Sequence, residues 1–261
     1  MVSTTAEPPI DPNRPSSARI YDVFLGGTHN FASDRAVAAR TAELLPQTPM
    51  IARHNRAFLR RAVRFATARG VDQFLDIGSG IPTEQNVHQV APEARVVYVD
   101  IDPTAVIYAR HLLGDDPRLV VVHGDVREPA PVLDDPAVRG LLDLSRPLGI
   151  LMVAVLHFVP DSPVLTEALR IYREAAVPGS VLAISHVSAS AQPTELDRVA
   201  DLYNRTGASL VPRDREQMER LFEGWTLVDP GVVFGPSWRP DPGEEVDDPA
   251  QFLTLAGVAV R

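Results

Sequence analysis

Short apolar runs and longer amphipathic segments alternate along residues 71–187. A short apolar run is typical of a buried strand, whereas apolar positions that recur every three or four residues are typical of a helix. The alternation predicts a parallel sheet with helices on both of its faces. Predicted strands cover 74–77, 96–100, 119–123, 148–155 and 180–186, and predicted helices cover 83–90, 103–113, 136–143 and 163–176.

Several of the predicted helices have clear start signals. A side chain that can accept a backbone hydrogen bond stands directly before a proline at Asp102–Pro103, Asp135–Pro136 and Ser162–Pro163. The first residue caps the free N–H groups of the first turn, and proline suits the first helical position because its missing N–H is not needed there. These pairs support the boundaries of three predicted helices.

The residues before the first strand have a different pattern. Residues 1–15 contain four prolines and few large apolar side chains, which predicts a disordered tail. Apolar periodicity then predicts a helix from Ser17 to the Gly26–Gly27 pair, a second over 33–45 and a third over 50–69. We interpret 16–70 as an N-terminal helical cap and 71–261 as the main domain.

The last third of the chain also departs from the alternation. Helices are predicted over 194–204 and 215–222, followed by strands over 225–228 and 252–260. A loop rich in proline, aspartate and glycine joins these two strands, which predicts a terminal hairpin. The sheet would then carry an antiparallel strand.

Composition and charge exclude several classes of protein. The chain has 261 residues, 45% of them hydrophobic, and a net charge of −9, which is not the basic balance of a nucleic-acid-binding protein. It contains no cysteine, its longest apolar run (148–156) is too short to cross a bilayer, and residues 1–15 lack the pattern of an export signal. We therefore expect a cytoplasmic protein that binds neither membranes nor nucleic acid.

The candidate chemistry begins where the first predicted strand ends. Asp76, Gly78 and Gly80 form an acidic residue followed by a glycine-rich turn. Glycine permits a positive φ and a close approach of a ligand to the backbone. A fixed negative charge does not suit a phosphate site, but it suits a ligand that carries an ammonium group.

Two further aspartates follow the next two predicted strands. Asp100 lies 24 residues after Asp76, and Asp125 lies 25 residues after Asp100, which is about one strand–helix unit each. Since parallel strands present their carboxyl ends at one edge, the three carboxylates should converge there. Asp100 is placed to accept hydrogen bonds from a ribose diol, and Asp125 from an exocyclic amino group on a purine. The alternative is that such aspartates only cap helices.

Two other kinds of nucleotide site fit the sequence less well. A nicotinamide or flavin site has the pattern G-x-G-x-x-G/A, but Thr83 stands at the third glycine position here. A P-loop requires lysine, and all 25 basic residues of this chain are arginine. A reductase that uses a nicotinamide cofactor remains the third functional interpretation.

Longer motifs carry a family resemblance. The chain reads Ser-Ala-Arg-Ile-Tyr-Asp over 17–22, Leu-Gly-Gly-Thr-His-Asn-Phe over 25–31, Asp-Arg at 34–35, Asn-Arg-Ala-Phe-Leu-Arg-Arg over 55–61 and Gln-Phe-Leu-Asp-Ile-Gly over 73–78. Residues 71–187 resemble the core of a class I S-adenosylmethionine-dependent methyltransferase. Residues 15–261 resemble one bacterial branch of that class, the S-adenosyl methyltransferases of methyltransferase family 19.

The resemblance implies a Rossmann-like α/β fold with seven strands, the last antiparallel. It also implies S-adenosylmethionine as cofactor and S-adenosylhomocysteine as product, but no particular acceptor. We predict that the turn, the strand-end aspartates and their neighbours bind this cofactor. The predicted cofactor residues are Arg56, Asp76, Gly78, Ser79, Gly80, Asp100, Ile101, Asp125, Val126 and Leu156.

Methyl transfer needs alignment of the reactants more than a catalytic group, although a base helps when the acceptor is a hydroxyl. His157, at the end of the fourth predicted strand, is the first candidate base, and a wall residue beside the adenosine is its alternative role. His186 is a poorer candidate. Tyr21, His29 and Asn30 of the cap are expected to shape the acceptor pocket, although the last two could simply form a loop.

Arg56, in the third predicted helix, also has two interpretations. Arg56 could pair with the carboxylate of the methionyl group, or it could belong to a solvated basic face of that helix. No residue spacing indicates a metal site, although a magnesium-dependent catechol-type enzyme is not excluded.

We interpret the protein as a methyltransferase that acts on oxygen or nitrogen of a small molecule. A protein that binds S-adenosylmethionine as a sensor or pseudoenzyme, without catalysis, is the alternative. The sequence does not determine the acceptor or the oligomeric state.

Overall fold

A computed structural model of the protein describes residues 10–83, 85–189 and 193–261. Within these ranges eight strands form one sheet in the order β3-β2-β1-β4-β5-β8-β6, and β7 pairs with β8. The strands are Gln73–Ile77 (β1), Arg95–Asp100 (β2), Leu119–His123 (β3), Gly149–Val153 (β4), Val181–Val187 (β5), Thr226–Leu227 (β6), Val233–Phe234 (β7) and Thr254–Val260 (β8).

The first five strands are parallel, and β8 runs antiparallel to β5, β6 and β7. This confirms the predicted parallel core and its antiparallel last strand. The last two predicted strands also pair antiparallel, as β6 and β8, but β7 lies between them in the chain, so they do not form a simple hairpin. The difference from the expected seven strands is the two-residue β7, which is too short to leave a periodic signal in the sequence.

Ten α-helices surround the described sheet. Asp102, Asp135 and Ser162 cap their helices through side-chain oxygens, as the sequence predicted. The helices are Ser17–Phe24 (α1), Ala32–Leu44 (α2), Thr48–Ala68 (α3), Val87–Val90 (α4), Pro103–Leu113 (α5), Pro129–Leu133 (α6), Pro136–Leu141 (α7), Pro163–Ala175 (α8), Pro193–Asn204 (α9) and Arg215–Arg220 (α10). Short 3₁₀ turns lie at Leu156–Phe158, Gly235–Ser237 and Pro249–Phe252.

Two helices differ from the prediction. The helix expected over 83–90 consists only of α4, because Gln85 has a positive φ of 55° and Asn86 is extended. The sequence analysis also missed α6, which begins at Pro129 and contains a second proline, Pro131. Both prolines lie in its first turn, where N–H groups have no partner within the helix and a missing donor costs little.

Apolar layers cover both faces of the sheet. On one face α8 and α10 pack on strand residues such as Ile150 and Leu182. On the other face α3 packs on Phe74 and Val96 through its own Phe58. Most of α3 therefore belongs to the layer on the sheet, although we had predicted it as part of the cap.

A third apolar cluster joins the N-terminal helices to α9. Ile20 and Phe24 of α1 pack with Leu196, Val199 and Tyr203 of α9. The cap is thus α1, α2 and the start of α3, and it is held from the opposite side by a helix that comes more than 150 residues later. This arrangement encloses the carboxyl ends of the strands.

The predicted tail divides into two parts. Residues 1–9 lie outside the described ranges. Residues 10–15 contact the cap, because the Ser33 hydroxyl donates to the carbonyl of Pro12 over 2.6 Å and Arg19 donates to the carbonyl of Arg14. Residues 10–15 therefore differ from the disordered tail that we expected. No helix in the part of the chain described here is long and apolar enough to cross a membrane.

Candidate active site

A cleft of about 540 Å³ lies between the cap and the carboxyl ends of the parallel strands. Its floor is formed by the residues that follow β1 to β5, and its roof by α1, the end of α2 and the start of α3. Residues from α9 and from 207–210 close the far side. The position is the one expected for a ligand site in an open parallel sheet.

The glycine turn after β1 has the backbone conformation that the sequence predicted. Gly78 and Gly80 have positive φ angles of 72° and 66°. A Cβ on Gly78 would lie 2.4 Å from Cγ2 of Val155, whereas a Cβ on Gly80 would meet no atom within 4 Å. The N–H groups of Gly78 and Ser79 both donate to the carbonyl of Val99, which ties the turn to β2. Gly78 thus serves packing, and Gly80 faces open space in the cleft.

Asp100 is fixed in orientation at the end of β2. Its carboxylate accepts from the N–H of Gly80 over 2.7 Å and from the N–H of Asp102 over 2.8 Å. Burial raises the pKa of Asp100 to about 6, although these two hydrogen bonds oppose the shift. Each oxygen keeps a further lone pair, so the carboxylate can still accept hydrogen bonds from a diol. Ile101 beside it is 53% exposed and lines the cleft.

Asp76 lies deeper than the cleft lining, and only 5% of it is exposed. Burial raises its pKa to about 7; the nearby positive charge of Arg56 lowers that pKa, and the negative charge of Asp100 raises it. Arg56 lines the cleft and donates to Oδ1 of Asn86 over 2.9 Å. A cation bound at this end of the cleft would favour the ionised form of Asp76.

Asp125 and Val126 also line the cleft, but the Asp125 carboxylate is already engaged. It accepts from the backbone N–H of Arg127 over 2.8 Å and from Nε of the same residue over 2.9 Å. Burial raises the pKa of Asp125, but these hydrogen bonds outweigh it and hold the pKa below its ordinary value. The cap residue of α6 is Glu128, so Asp125 does not cap that helix.

The turn after β4 separates two predicted site residues. His157 is buried and lines the cleft, and its Nδ1 has no hydrogen-bond partner. Burial, together with the neighbouring His186 and Arg213, holds the pKa of His157 well below its ordinary value, so the ring is neutral at pH 7. Leu156 is a correction to the predicted site. Its side chain is fully buried in the core, because the 3₁₀ turn points it away from the cleft.

His186, the second base candidate, has both ring nitrogens engaged. Nδ1 donates to the carbonyl of Val187 over 2.8 Å, and Nε2 accepts from Nη1 of Arg213 over 2.5 Å. Burial lowers its pKa to about 4. His186 therefore has no free ring nitrogen for an acceptor, and its position is structural.

Arg213 was missed by the sequence analysis. It is 1% exposed, and besides His186 it donates to the carbonyls of Leu156 and Val159 and to the Asp161 carboxylate. These bonds hold both ends of the turn that carries His157. A single arginine in a loop leaves no periodic signal, so only the folded chain identifies it.

The predicted cap residues do not all reach the cleft. Tyr21 does, and its hydroxyl donates to the carbonyl of Ala52 over 3.1 Å and accepts from Nδ2 of Asn55 over 2.9 Å. His29 and Asn30 do not line the cleft, and the prediction for both is wrong. The His29 ring packs edge-on against Tyr108 of α5, and Asn30 donates to the carboxylate of Asp22 on α1.

Asn55 is a second residue whose position the sequence analysis did not recognise. It lines the cleft, and besides its bond to Tyr21 its Oδ1 accepts from the Ser185 hydroxyl over 2.5 Å. It thereby connects the cap to the end of β5. Among the described residues no cluster of histidine, aspartate or glutamate could hold a metal ion.

The model of one protein family, described as S-adenosyl methyltransferase, matches residues 3–261. The chain belongs to this family. Two solved structures of similar proteins align with nearly the whole chain. It is 40% identical to a putative methyltransferase from Thermobifida fusca YX (99% of each chain, TM-score 0.90) and 36% identical to a DUF574 family protein from Streptomyces avermitilis (97% of this chain and 100% of that one, TM-score 0.91).

More distant likenesses are partial or concern the fold alone. The N-methyltransferase NodS from Bradyrhizobium japonicum, solved with S-adenosyl-L-homocysteine, is 14% identical with a TM-score of 0.53 over 93% of this chain and 98% of that one. The ribosomal RNA small subunit methyltransferase H of Shewanella loihica is 33% identical over 93 residues, which are 36% of this chain. The match spans only 26% of that curated relative.

The protein is therefore an S-adenosylmethionine-dependent enzyme. The described residues fit that cofactor. Gly80 leaves open space where a side chain would stand, Asp100 keeps lone pairs for a diol, and Asp76 is a buried carboxylate beside the cleft. An ammonium group near Asp76 would offset the cost of its ionisation.

Proposed function

We propose that the enzyme transfers the methyl group of S-adenosylmethionine to an oxygen or nitrogen atom of a small molecule. The observation that carries this proposal is a single cleft in which the strand ends face the cap and α9. Its volume of about 540 Å³ lies within the usual range of small-molecule sites, about 300 to 1,000 Å³. The net charge of −9 is unfavourable for a nucleic-acid acceptor.

The strand-end residues hold the cofactor in this proposal. Asp100 accepts from the ribose hydroxyls, and Gly80 allows the ligand to approach the backbone. Asp76 stabilises the ammonium of the methionyl group, and Arg56 pairs with its carboxylate. The remaining contacts of the adenosine come from Ser79, Ile101, Asp125 and Val126. When bound, the cofactor supplies a methyl group on a sulfonium centre, which is an excellent leaving group.

His157 is the group that we assign to the acceptor side. Its low pKa keeps the ring neutral at pH 7, so that it can accept a hydrogen bond from an acceptor hydroxyl. The rest of the protein's contribution is to align the acceptor and to exclude water beneath the cap. No further catalytic group is required by this reaction.

The first experiment measures cofactor binding by titration calorimetry. Wild-type protein should bind S-adenosylhomocysteine, and Asp100→Ala should weaken this binding by at least about tenfold, because two ribose hydrogen bonds are lost. Asp115→Ala is the matched control, since Asp115 is an exposed carboxylate outside the cleft lining. An unchanged affinity of Asp100→Ala would remove that residue from the proposed site.

The second experiment measures activity. The protein is incubated with S-adenosylmethionine and a panel of small hydroxyl and amine compounds, with a structured RNA and a protein extract as competing acceptors. Formation of S-adenosylhomocysteine that depends on a small acceptor supports the proposal. Formation that depends only on RNA or protein would contradict it.

A further inference from the structure

The charged residues that line the cleft all lie at one end of it. Among the described residues these are Arg56, Asp100, Asp125 and Arg127, which follow β2 and β3 or lie on α3 above β1. This is the end that we assign to the cofactor. The charges therefore have a function within the proposed site that does not involve the acceptor.

The other end of the cleft is a chamber without a charged side chain in the described part of the chain. We call it the acceptor chamber. Its polar residues are uncharged, and they include Tyr21, Asn55 and Ser209. Its apolar lining includes Phe24, Leu45, Ile51, Leu196, Val199 and Leu210.

The two histidines and the arginine beside this chamber do not supply a charge to a ligand. His157 and His186 are neutral at pH 7, because burial lowers the pKa of each ring. Arg213 lies under the turn with all five of its N–H donors used within the protein, two of them on Asp161. None of these three side chains therefore offers a counter-ion to a ligand in the chamber.

The chamber also has an aromatic wall. The rings of Phe158 and Tyr203 lie nearly parallel, with an interplanar angle of 29° and centroids 5.9 Å apart. Burying an ion without a counter-ion is costly, whereas a flat apolar ring gains from contact with aromatic side chains. An aliphatic amine is a cation at pH 7, so the same cost applies to it.

We infer that the acceptor is an uncharged, largely apolar aromatic molecule that is methylated on a hydroxyl group. This inference rests on the proposed function and narrows its substrate class. The acceptor oxygen forms a bond to the methyl carbon, whose bond to sulfur breaks with the electron pair left on sulfur. The hydroxyl proton passes to His157 and then to solvent, so that the step needs no other reactant.

Three probes with one ring system test the inference. They are 2-naphthol, which is neutral, 2-naphthoate, which is an anion, and 2-naphthylmethylammonium, which is a cation. Their binding to the protein saturated with S-adenosylhomocysteine is measured by ring fluorescence at about pH 7.5. The naphthol should bind at least about tenfold more tightly than either ion.

A charge placed in the chamber should change this preference. Ser209 is exposed at the chamber lining, so Ser209→Arg introduces a cation with little risk to the fold. This variant should bind 2-naphthoate about tenfold more tightly than the wild type does. Asn204→Arg is the matched control, because Asn204 is exposed at the end of α9 and does not line the cleft. It should leave the order of the three probes unchanged.

The outcomes separate this inference from the proposed function. Failure of the protein to bind S-adenosylhomocysteine contradicts the proposed cofactor site. The binding of the three probes is then compared on the protein without S-adenosylhomocysteine. Equal or tighter binding of either ion to wild-type protein overturns the inference about the acceptor. Binding of none of the three probes also overturns it, because a largely apolar chamber with an aromatic wall should accept the neutral one.

Discussion

Arg213 and His186 form a buried hydrogen bond of 2.5 Å, from Nη1 of the arginine to Nε2 of the histidine. Because Nδ1 of His186 donates to a carbonyl, the accepting nitrogen must be Nε2, and one neutral tautomer of the ring is fixed. The other donors of Arg213 hold the carbonyls of Leu156 and Val159. The pair therefore positions the turn that carries His157.

Arg213→Lys should destabilise the protein by about 3 to 5 kcal/mol, because lysine has only three donors and leaves buried acceptors without a partner. Urea unfolding monitored by far-UV circular dichroism gives this free energy. Arg170→Lys is the control, since the Arg170 side chain is 41% exposed and its ion pairs with Glu167 and Glu174 lie on the surface of α8. Its effect should stay below about 1 kcal/mol. Equal effects of the two variants would contradict the positioning role of Arg213.

Asp76→Asn should stabilise the protein in a pH-dependent way. The pKa of Asp76 is about 7 in the folded protein against an ordinary value of 3.8, so its favourable contribution is present below about pH 4 and is lost as the pH rises through 7. Removing the charge should therefore raise the free energy of unfolding by a few kcal/mol near pH 8, and by much less near pH 5.

The comparison of unfolding at the two pH values is the measurement. Asp72→Asn is its control, because this exchange also removes one carboxylate, but at an exposed position one residue before β1. The same Asp76→Asn variant should lose affinity for S-adenosylhomocysteine, which carries the ammonium group. A variant that is both less stable near pH 8 and unchanged in affinity would refute this account of Asp76.

Gly80→Ala should impair cofactor binding more than folding. A Cβ at Gly80 meets no atom within 4 Å but would occupy the cleft, and the positive φ costs an alanine about 1 to 2 kcal/mol. Gly114→Ala is a close control, because Gly114 has a φ of 62°, the same open surroundings and no place in the cleft lining. Both variants should lose stability, and only Gly80→Ala should lose calorimetric affinity for S-adenosylhomocysteine.

Gly78→Ala should be more harmful to folding than either of these variants. Its Cβ would stand 2.4 Å from a methyl group of Val155, so the turn and β4 must move apart in addition to adopting the strained φ. Urea unfolding should show a loss larger than that of Gly80→Ala by about 1 kcal/mol or more. A smaller loss would mean that Val155 can move without cost.

Two variants of Asp125 separate the contribution of its hydrogen bonding to cofactor affinity from that of its charge. Asp125→Asn keeps an oxygen that can accept from an exocyclic amino group, whereas Asp125→Leu does not. Calorimetry should show an affinity for S-adenosylhomocysteine within about threefold of wild type for the first variant and weaker by about tenfold for the second. Arg127→Met removes only the partly exposed ion pair and should resemble the first variant. Equal losses of affinity in Asp125→Asn and Asp125→Leu would mean that Asp125 only stabilises its own loop.

Local patterns predicted much of the fold. The strands up to β5 were found within two residues of their ends, because a buried parallel strand is a continuous apolar run between turn residues. The caps at Asp102, Asp135 and Ser162 were found because capping depends only on adjacent residues. The glycine turn and the convergence of Asp100 and Asp125 on one cleft follow from the same local regularities.

The errors in the predicted site arise where distant segments meet. Leu156 and His157 are neighbours, yet one enters the core and the other the cleft, because Arg213 holds the turn between them. His29 was expected in the pocket, but its position is set by Tyr108 of α5. Neither outcome has a signal within a few residues of the side chain concerned.

The sequence by itself determined the order of strands and helices, the glycine turn and the acidic strand ends, because each depends on residues close together in the chain. The tertiary structure decided which side chains face the acceptor. The acceptor chamber is built from α1, the start of α3, the turn after β4, α9 and the 207–210 loop, which are up to about 190 residues apart in sequence. The lack of charge among its described residues is a property of the assembled surface, which no single segment carries.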